Sequence, residues 1–153
     1  VNRFRSVFST EWVERAQELG FTVGQIVTLA SIIEKETGAA FERPIISSVF
    51  HNRLKKKMRL ESDPTVIYGI KNFDGNLTRK HLRTHTPYNT YKIRGLPAGP
   101  IANPGRASLE AALYPEKTVF LYFVSKRDTT HYFSTSLKEH NLAVRKYQLK
   151  RKK

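Results

Sequence analysis

Of the thirteen acidic side chains in this 153-residue sequence, two sit where a negative charge is expensive. Glu34 and Glu36 close a strongly apolar run that reads as a helix from about Val23 to Thr37. The partial negative charge of a helix C-terminus and the apolar surroundings both penalise the ionised form, so both raise a carboxyl pKa. A carboxyl still protonated near neutral pH can serve as a general acid. Two residues apart on a helix, the side chains diverge by about 200° and cannot act as a facing pair. Ile33, Ile32 and Leu29 lie three, four and seven residues before Glu36, whereas Ser31, Ala30 and Val27 precede Glu34 at the same spacings. Glu36 therefore lies over the bulkier apolar row and is the first candidate, with Glu34 in reserve. The competing reading is structural: both glutamates are solvated beside Lys35, or one accepts a hydrogen bond from Arg43 or Arg53.

Other constellations carry less. His81 and His85 have the spacing of a helical metal pair, but Leu82-Arg83-Thr84 between them supplies no acidic partner. There is no cysteine, no phosphate-binding glycine fingerprint, and no grouping of Ser, His and Asp that suggests a triad, so neither metal nor cofactor is expected. Twenty-seven Lys and Arg give a net charge of +14, which favours anionic partners: nucleic acid, phospholipid headgroups or a charged wall polymer. Much of that charge sits in Arg53 to Arg59 and in a basic tail, residues 150–153, where a solvated helix end and a frayed terminus are the simpler reading. A basic nucleic-acid-binding module and a non-catalytic wall-binding domain are thus the alternatives to an enzyme.

The elements that must position these residues read as follows. Thr10 to Leu19 is a short amphipathic helix closed by Gly20. The Val23 to Thr37 helix is apolar nearly all round and belongs in the middle of the domain. Pro44 opens a third helix packed on it, and Ser62-Asp63-Pro64 caps a short one, Thr65 to Ile70, with Asp63 as its cap. Thr86 to Ile93 looks extended, Gly95 to Pro100 is irregular, and Asn103-Pro104 caps a helix through Leu113. Val119 to Val124 and His131 to Ser134 form a hairpin, and Ser136-Leu137-Lys138-Glu139 is a capping box for the last helix. The expectation is one helix-rich α+β domain over residues 1–153, with a C-terminal hairpin and a possible further extended segment. The start, Val1-Asn2-Arg3-Phe4-Arg5, has neither Met nor an apolar signal core, so a longer parent protein is expected.

Several blocks then carry a resemblance: Leu29-Ala30-Ser31-Ile32-Ile33-Glu34-Lys35-Glu36-Thr37, Val49-Phe50-His51-Asn52-Arg53-Leu54, Ser62-Asp63-Pro64-Thr65-Val66-Ile67-Tyr68-Gly69, Tyr88-Asn89-Thr90-Tyr91, Gly95-Leu96-Pro97, Pro100 to Gly105, His131 to Thr135 and His140-Asn141. In this order they resemble the MltG/YceG family of endolytic murein transglycosylases, over about residues 23 to 142. The resemblance implies a lyase that cuts the MurNAc–GlcNAc β-1,4 bond of peptidoglycan without water and leaves a 1,6-anhydro-MurNAc end, terminating new strands. One glutamate placed at a helix end, as in lysozyme, serves as acid and then as base, where hydrolases need a second carboxylate. The Glu36-Thr37-Gly38 sequence is similar to the Glu-Ser start of other lytic transglycosylase motifs, which favours Glu36. Tyr88, Asn89, Thr90 and Tyr91 offer aromatic faces and amide or hydroxyl groups for sugar rings, and Asn103, Asp63 and Tyr68 complete the expected binding set. Tyr68 suits a core as well as a site. The resemblance also implies a membrane anchor outside this chain, a place on the periplasmic face of the cytoplasmic membrane, peptidoglycan synthases as partners, and no nucleic acid. Two departures stand out: Pro is expected in place of Ala98, and Gly in place of Thr129.

Overall fold

The computed structural model describes residues 8–36 and 38–149; the basic tail, the first seven residues and Thr37 lie outside the described residues. The organising element is α2, Val23–Glu36, which follows α1, Thr10–Leu19. Gly20, at φ 82°, ends α1 by sending its N–H to Gln17 O while Phe21 N–H reaches Ala16 O, the left-handed closure that glycine permits without a Cβ clash. Thr22 and Gln25 then exchange side-chain and backbone hydrogen bonds at 3.1 and 2.9 Å, a capping box that starts α2. Ile26, Leu29, Ala30, Ile32 and Ile33 of α2 are fully buried, and each large aliphatic among them contributes roughly 1.5–3 kcal/mol by leaving water.

Two further helices enclose α2. A 3-10 turn, Ala40–Glu42, runs into α3, Arg43–Lys55, so Pro44 falls inside the first turn rather than opening the helix. Farther along, α4, Asp63–Tyr68, and α5, Arg79–Arg83, precede α6, Arg106–Leu113, which packs on both α2 and α3. The last carbonyls of α6 find donors on other helices: His51 Nε2 meets Ala112 O at 2.7 Å and Arg15 Nε meets Leu113 O at 2.8 Å. These groups have no intrahelical partner, so long-range side chains are what allow α6 to end inside the protein.

Beyond this bundle lies one antiparallel hairpin, β1 Tyr122–Ser125 with β2 His131–Ser134, in the register Phe123 opposite Phe133. It is followed by α7, Leu137–Val144, and a π turn, Arg145–Leu149. The fold class is thus the expected one, α+β with a C-terminal hairpin. Three expectations change. Regular pairing begins at Tyr122 rather than Val119, because Asn52 Nδ2 takes the carbonyls of Thr118 and Phe120 and Arg53 Nε takes that of Leu121. The segment Thr86 to Ile93 is a chain of turns, not extended, closed by Asn89 N–H to Thr86 O and Lys92 N–H to Asn89 O. The N-cap of α6 is Gly105, not Asn103.

The hairpin turn is strained. Arg127 and Thr129 have φ of 68° and 75°, a region that costs a β-branched residue most. Gly38 lies so close that a Cβ on it would collide with the carbonyl of Thr129. Thr129→Gly should therefore stabilise the protein by about 1 kcal/mol, a rise of a few degrees in melting temperature. Thermal unfolding followed by circular dichroism checks it, with Thr129→Val giving no gain.

Candidate functional site

Although neighbours at the end of α2, the two glutamates have opposite surroundings. Glu34 turns toward α6. Its Oε1 accepts the Gly105 N–H and the Ser108 hydroxyl, both at 2.9 Å. The Gly105 N–H does most to hold its carboxyl below the usual range; burial opposes, and Ser108 then helps. Glu34 is thus the anion at the N-terminus of α6.

Glu36 turns the other way, toward α4, and accepts the Ser62 hydroxyl on Oε2 at 3.1 Å. Burial raises its pKa from the usual 4.5 to about 7; the Ser62 bond opposes this and the charge of Asp63 adds to it. Both glutamates therefore have partners, but neither is the arginine contact weighed from sequence. Glu36 alone of the two lines a cavity of about 480 Å³. Val49, Phe50 and Arg53 of α3 form one wall, Leu60, Glu61, Asp63 and Tyr91 a second, and the hairpin with His140 and Asn141 of α7 a third.

That second wall depends on an unusual turn. Glu61 has φ 53°, which lets Leu60 enter the core while Ser62 reaches Glu36. The N–H of Glu61 is held by Thr90 O, and that of Ser62 by Thr90 Oγ1 at 2.9 Å. Asp63 is the first residue of α4, not its cap, and accepts the Tyr91 hydroxyl at 2.7 Å. Burial first, then this bond to Asp63, pushes the Tyr91 phenol far above its usual range, so it remains a hydrogen-bond donor.

Of the residues expected to bind sugar, the structure brings Asp63 and Tyr91 to Glu36 and leaves the others elsewhere. Asn89 and Thr90 are fully buried. The Asn89 amide donates to the carbonyls of Leu82 and Thr84, and Thr90 Oγ1 pairs with Thr65 Oγ1, so both hold the loop that presents Tyr91. Tyr68, 51% exposed, packs edge-on against Tyr88 with ring centroids 4.7 Å apart, away from the cavity. Asn103 is exposed near the Glu34 side. The Gly95 to Pro100 loop, expected to wall the cleft, lines a different cavity of about 690 Å³ with Phe21, Gln25 and Leu54. His81 spends Nδ1 on the Thr78 N–H as part of a capping box.

Sequence reasoning missed Ser62 as the Glu36 partner, because its place before Asp63-Pro64 reads as a cap. It also missed Glu42, which is buried and bonded to His131 through both oxygens: Nδ1 lies 2.8 Å from Oε1 and the His131 N–H 3.0 Å from Oε2. No local pattern links positions 42 and 131. The one available signal was that His131 and His140 both fall in the blocks of the resemblance.

Opposite pKa shifts give opposite pH dependences. A depressed carboxyl stabilises the fold above its unfolded pKa near 4.5 and loses that contribution as pH falls. A raised one costs stability increasingly between 4.5 and about 7, and the cost is complete above that. Glu34→Gln should thus destabilise at pH 7 by about 1 kcal/mol, the deficit shrinking in acid. Glu36→Gln should stabilise at pH 8 by roughly 1–3 kcal/mol, the gain disappearing below pH ~4.5. Urea unfolding of both variants across pH measures this, and equal curves would contradict the opposed environments.

The profile of the YceG-like family matches residues 1–146. An endolytic murein transglycosylase of Bacillus subtilis is 49% identical over 126 residues, 82% of this chain and 35% of the relative. One from Streptococcus pneumoniae is 31% identical over 131 residues, 80% of this chain and 23% of the relative. The crystal structure of a yceG-like protein from Listeria monocytogenes superposes with a TM-score of 0.78 at 46% identity, covering 87% of this chain and 43% of that one. The chain spans about a third of the Bacillus relative and under a quarter of the Streptococcus one. Through a family match running nearly its whole length and a solved relative of the same fold, this chain belongs to the YceG-like family.

Proposed function

We infer that this chain carries the glycan-cutting centre of a peptidoglycan lytic transglycosylase, with Glu36 as its general acid and then its base. The observation that carries the reading is a carboxyl pushed up to about 7 on the wall of a cavity, in a chain whose relatives are named endolytic murein transglycosylases. The Ser62 hydroxyl occupies Oε2 of Glu36, so the acidic proton resides on Oε1. That proton goes to the oxygen of the MurNAc–GlcNAc bond as the bond breaks and positive charge grows on the sugar. Glu36, now a carboxylate, takes the proton of the sugar's C6 hydroxyl, whose oxygen closes the 1,6-anhydro ring. No water is consumed and Glu36 returns to its starting state.

The other carboxylates on the cavity wall are engaged. Asp63 accepts from Tyr91, and Glu61 lies 3.7 Å from Arg53. This supports a single acid–base residue over a hydrolase pair. Asp63 acts through its charge, adding to the burial that raises the Glu36 carboxyl. The substrate lies outside the cytoplasmic membrane, so this reading places the chain there, ending new strands beside the synthases that make them, with its anchor in another part of the protein.

Digestion of purified sacculi followed by mass spectrometry tests the reading. The wild-type protein should release anhydro-ended fragments. Glu36→Gln should lower the rate by at least about 10³-fold, while Glu34→Gln retains it at temperatures where it is folded. Uncut strands with the wild-type protein would favour a wall-binding role, and loss in Glu34→Gln alone would move the acid by two residues. Activity should fall as pH rises through about 7. Asp63→Asn removes a charge that raises the Glu36 pKa and should shift that fall to lower pH.

A further inference from the structure

His131, bonded to the buried Glu42 behind it, lines the same cavity, and the pair has no part in the proton transfers above. Both oxygens of the buried Glu42 carboxylate are bonded to one residue, the Nδ1 and the backbone N–H of His131. Nδ1 is the ring nitrogen turned to Glu42, so Nε2 is directed away from it. The ring is fixed from other sides as well, edge-on to Phe123 at 5.3 Å and against Phe133 at 6.2 Å. Nε2 has no hydrogen-bond partner among the described residues. It is also not one of the sealed unpaired atoms, a group that does include Nδ1 of His140. Since His131 lines the cavity with Glu36, Nε2 is the ring atom left open to it.

A carboxylate that fixes tautomer and ring plane while leaving the second nitrogen free is how proteins aim an imidazole at an external group. Nε2 is a polar ring atom without a partner among the described residues, and a sugar hydroxyl, which can both donate and accept, suits it. Phe123 and Val124 beside it offer the apolar surface that a pyranose face covers. We propose that Nε2 of His131, held by Glu42, makes a hydrogen bond with a hydroxyl of the sugar lying against Glu36 and so fixes the glycan strand for cleavage. The proposal rests on the glycan-cutting reading. In it His131 is a substrate contact and Glu42 a positioning residue.

Two substitutions separate this from a purely structural clamp. Asn at 131 places its amide near the position of Nδ1 and keeps the bond to Glu42. Gln reaches the position of Nε2 and keeps a polar group toward the cavity. Cleavage of uncrosslinked glycan strands should show KM raised about tenfold or more in His131→Asn, with kcat changed less, and much of the loss recovered in His131→Gln. In parallel, the imidazole 15N resonances of Glu36→Gln protein are followed as strands are added, with Nε2 of His131 expected to move and Nδ1 to stay. Wild-type KM in His131→Asn, equal damage in both variants, or an unmoved Nε2 resonance at saturating strands overturns the proposal. If either variant does not fold, the resonance decides. Failure of the wild-type protein to cut any strand removes the glycan-cutting reading and this one with it. Cutting that is indifferent to position 131 removes this one alone.

Discussion

A helix buried through its central turns has to leave the core, and where it leaves, its polar groups must find partners or stay exposed. In α2 this happens within three residues, at Glu34-Lys35-Glu36. One glutamate turns to α6 and receives two bonds there on one oxygen, from a backbone N–H and a hydroxyl. The other turns to α4 and receives a single hydroxyl. Carboxylates commonly accept several bonds when buried as anions, and one is too few to offset the loss of water. The divergence imposed by helical geometry thus gives two adjacent, identical side chains different protonation states at neutral pH. Glu34 fixes α6 against α2, and that docking sets the frame in which Glu36 can stay unsatisfied.

The cavity exists because α3 holds the hairpin at a distance. Asn52 and Arg53 bind three of the four carbonyl groups of the 118–121 approach, at Thr118, Phe120 and Leu121, and the Arg53 guanidinium also takes Arg59 O while lying over the Tyr122 ring at 4.9 Å. A guanidinium with several donors in a fixed plane can do this where a lysine could not. The approach carbonyls that Asn52 and Arg53 occupy are thereby withheld from extending the β-strand. Shortening the sheet is therefore the means by which the wall opposite Glu36 is set in place, and the Glu42–His131 bonds fasten the far end of the same hairpin.

What was legible in the sequence was mostly local. Apolar periodicity and glycine placement located α1, α2 and the hairpin, and the bulkier row beneath Glu36 singled out the glutamate whose carboxyl is raised. The fold class followed from the same pattern. Residues whose role is set by distant partners were misread or missed. Ser62 does stand at the N-cap of α4, yet its hydroxyl makes no capping bond and is drawn to a carboxylate 26 positions earlier. Asn89 and Thr90 look like sugar ligands because they are polar beside aromatics, yet loop carbonyls and buried hydroxyls use up their hydrogen bonds. Sequence gives a polar side chain's capacity to bond, and only the fold decides whether that capacity is spent inside.

The departure at Ala98 shows the same division between local pattern and long-range use. A proline expected there would stiffen the Gly95 to Pro100 loop through its fixed φ. Alanine keeps an N–H, which donates to Pro87 O at 3.1 Å. That bond ties the loop to the start of the turn-rich segment in which Asn89 gathers the carbonyls of Leu82 and Thr84 and Thr90 holds the Glu61 and Ser62 amides. Tyr91 follows directly, with its hydroxyl on Asp63. The loop does not touch the cavity, but it braces the segment that does. The rigidity a proline ring would supply locally is replaced by a hydrogen bond that acts where Tyr91 and Asp63 need it.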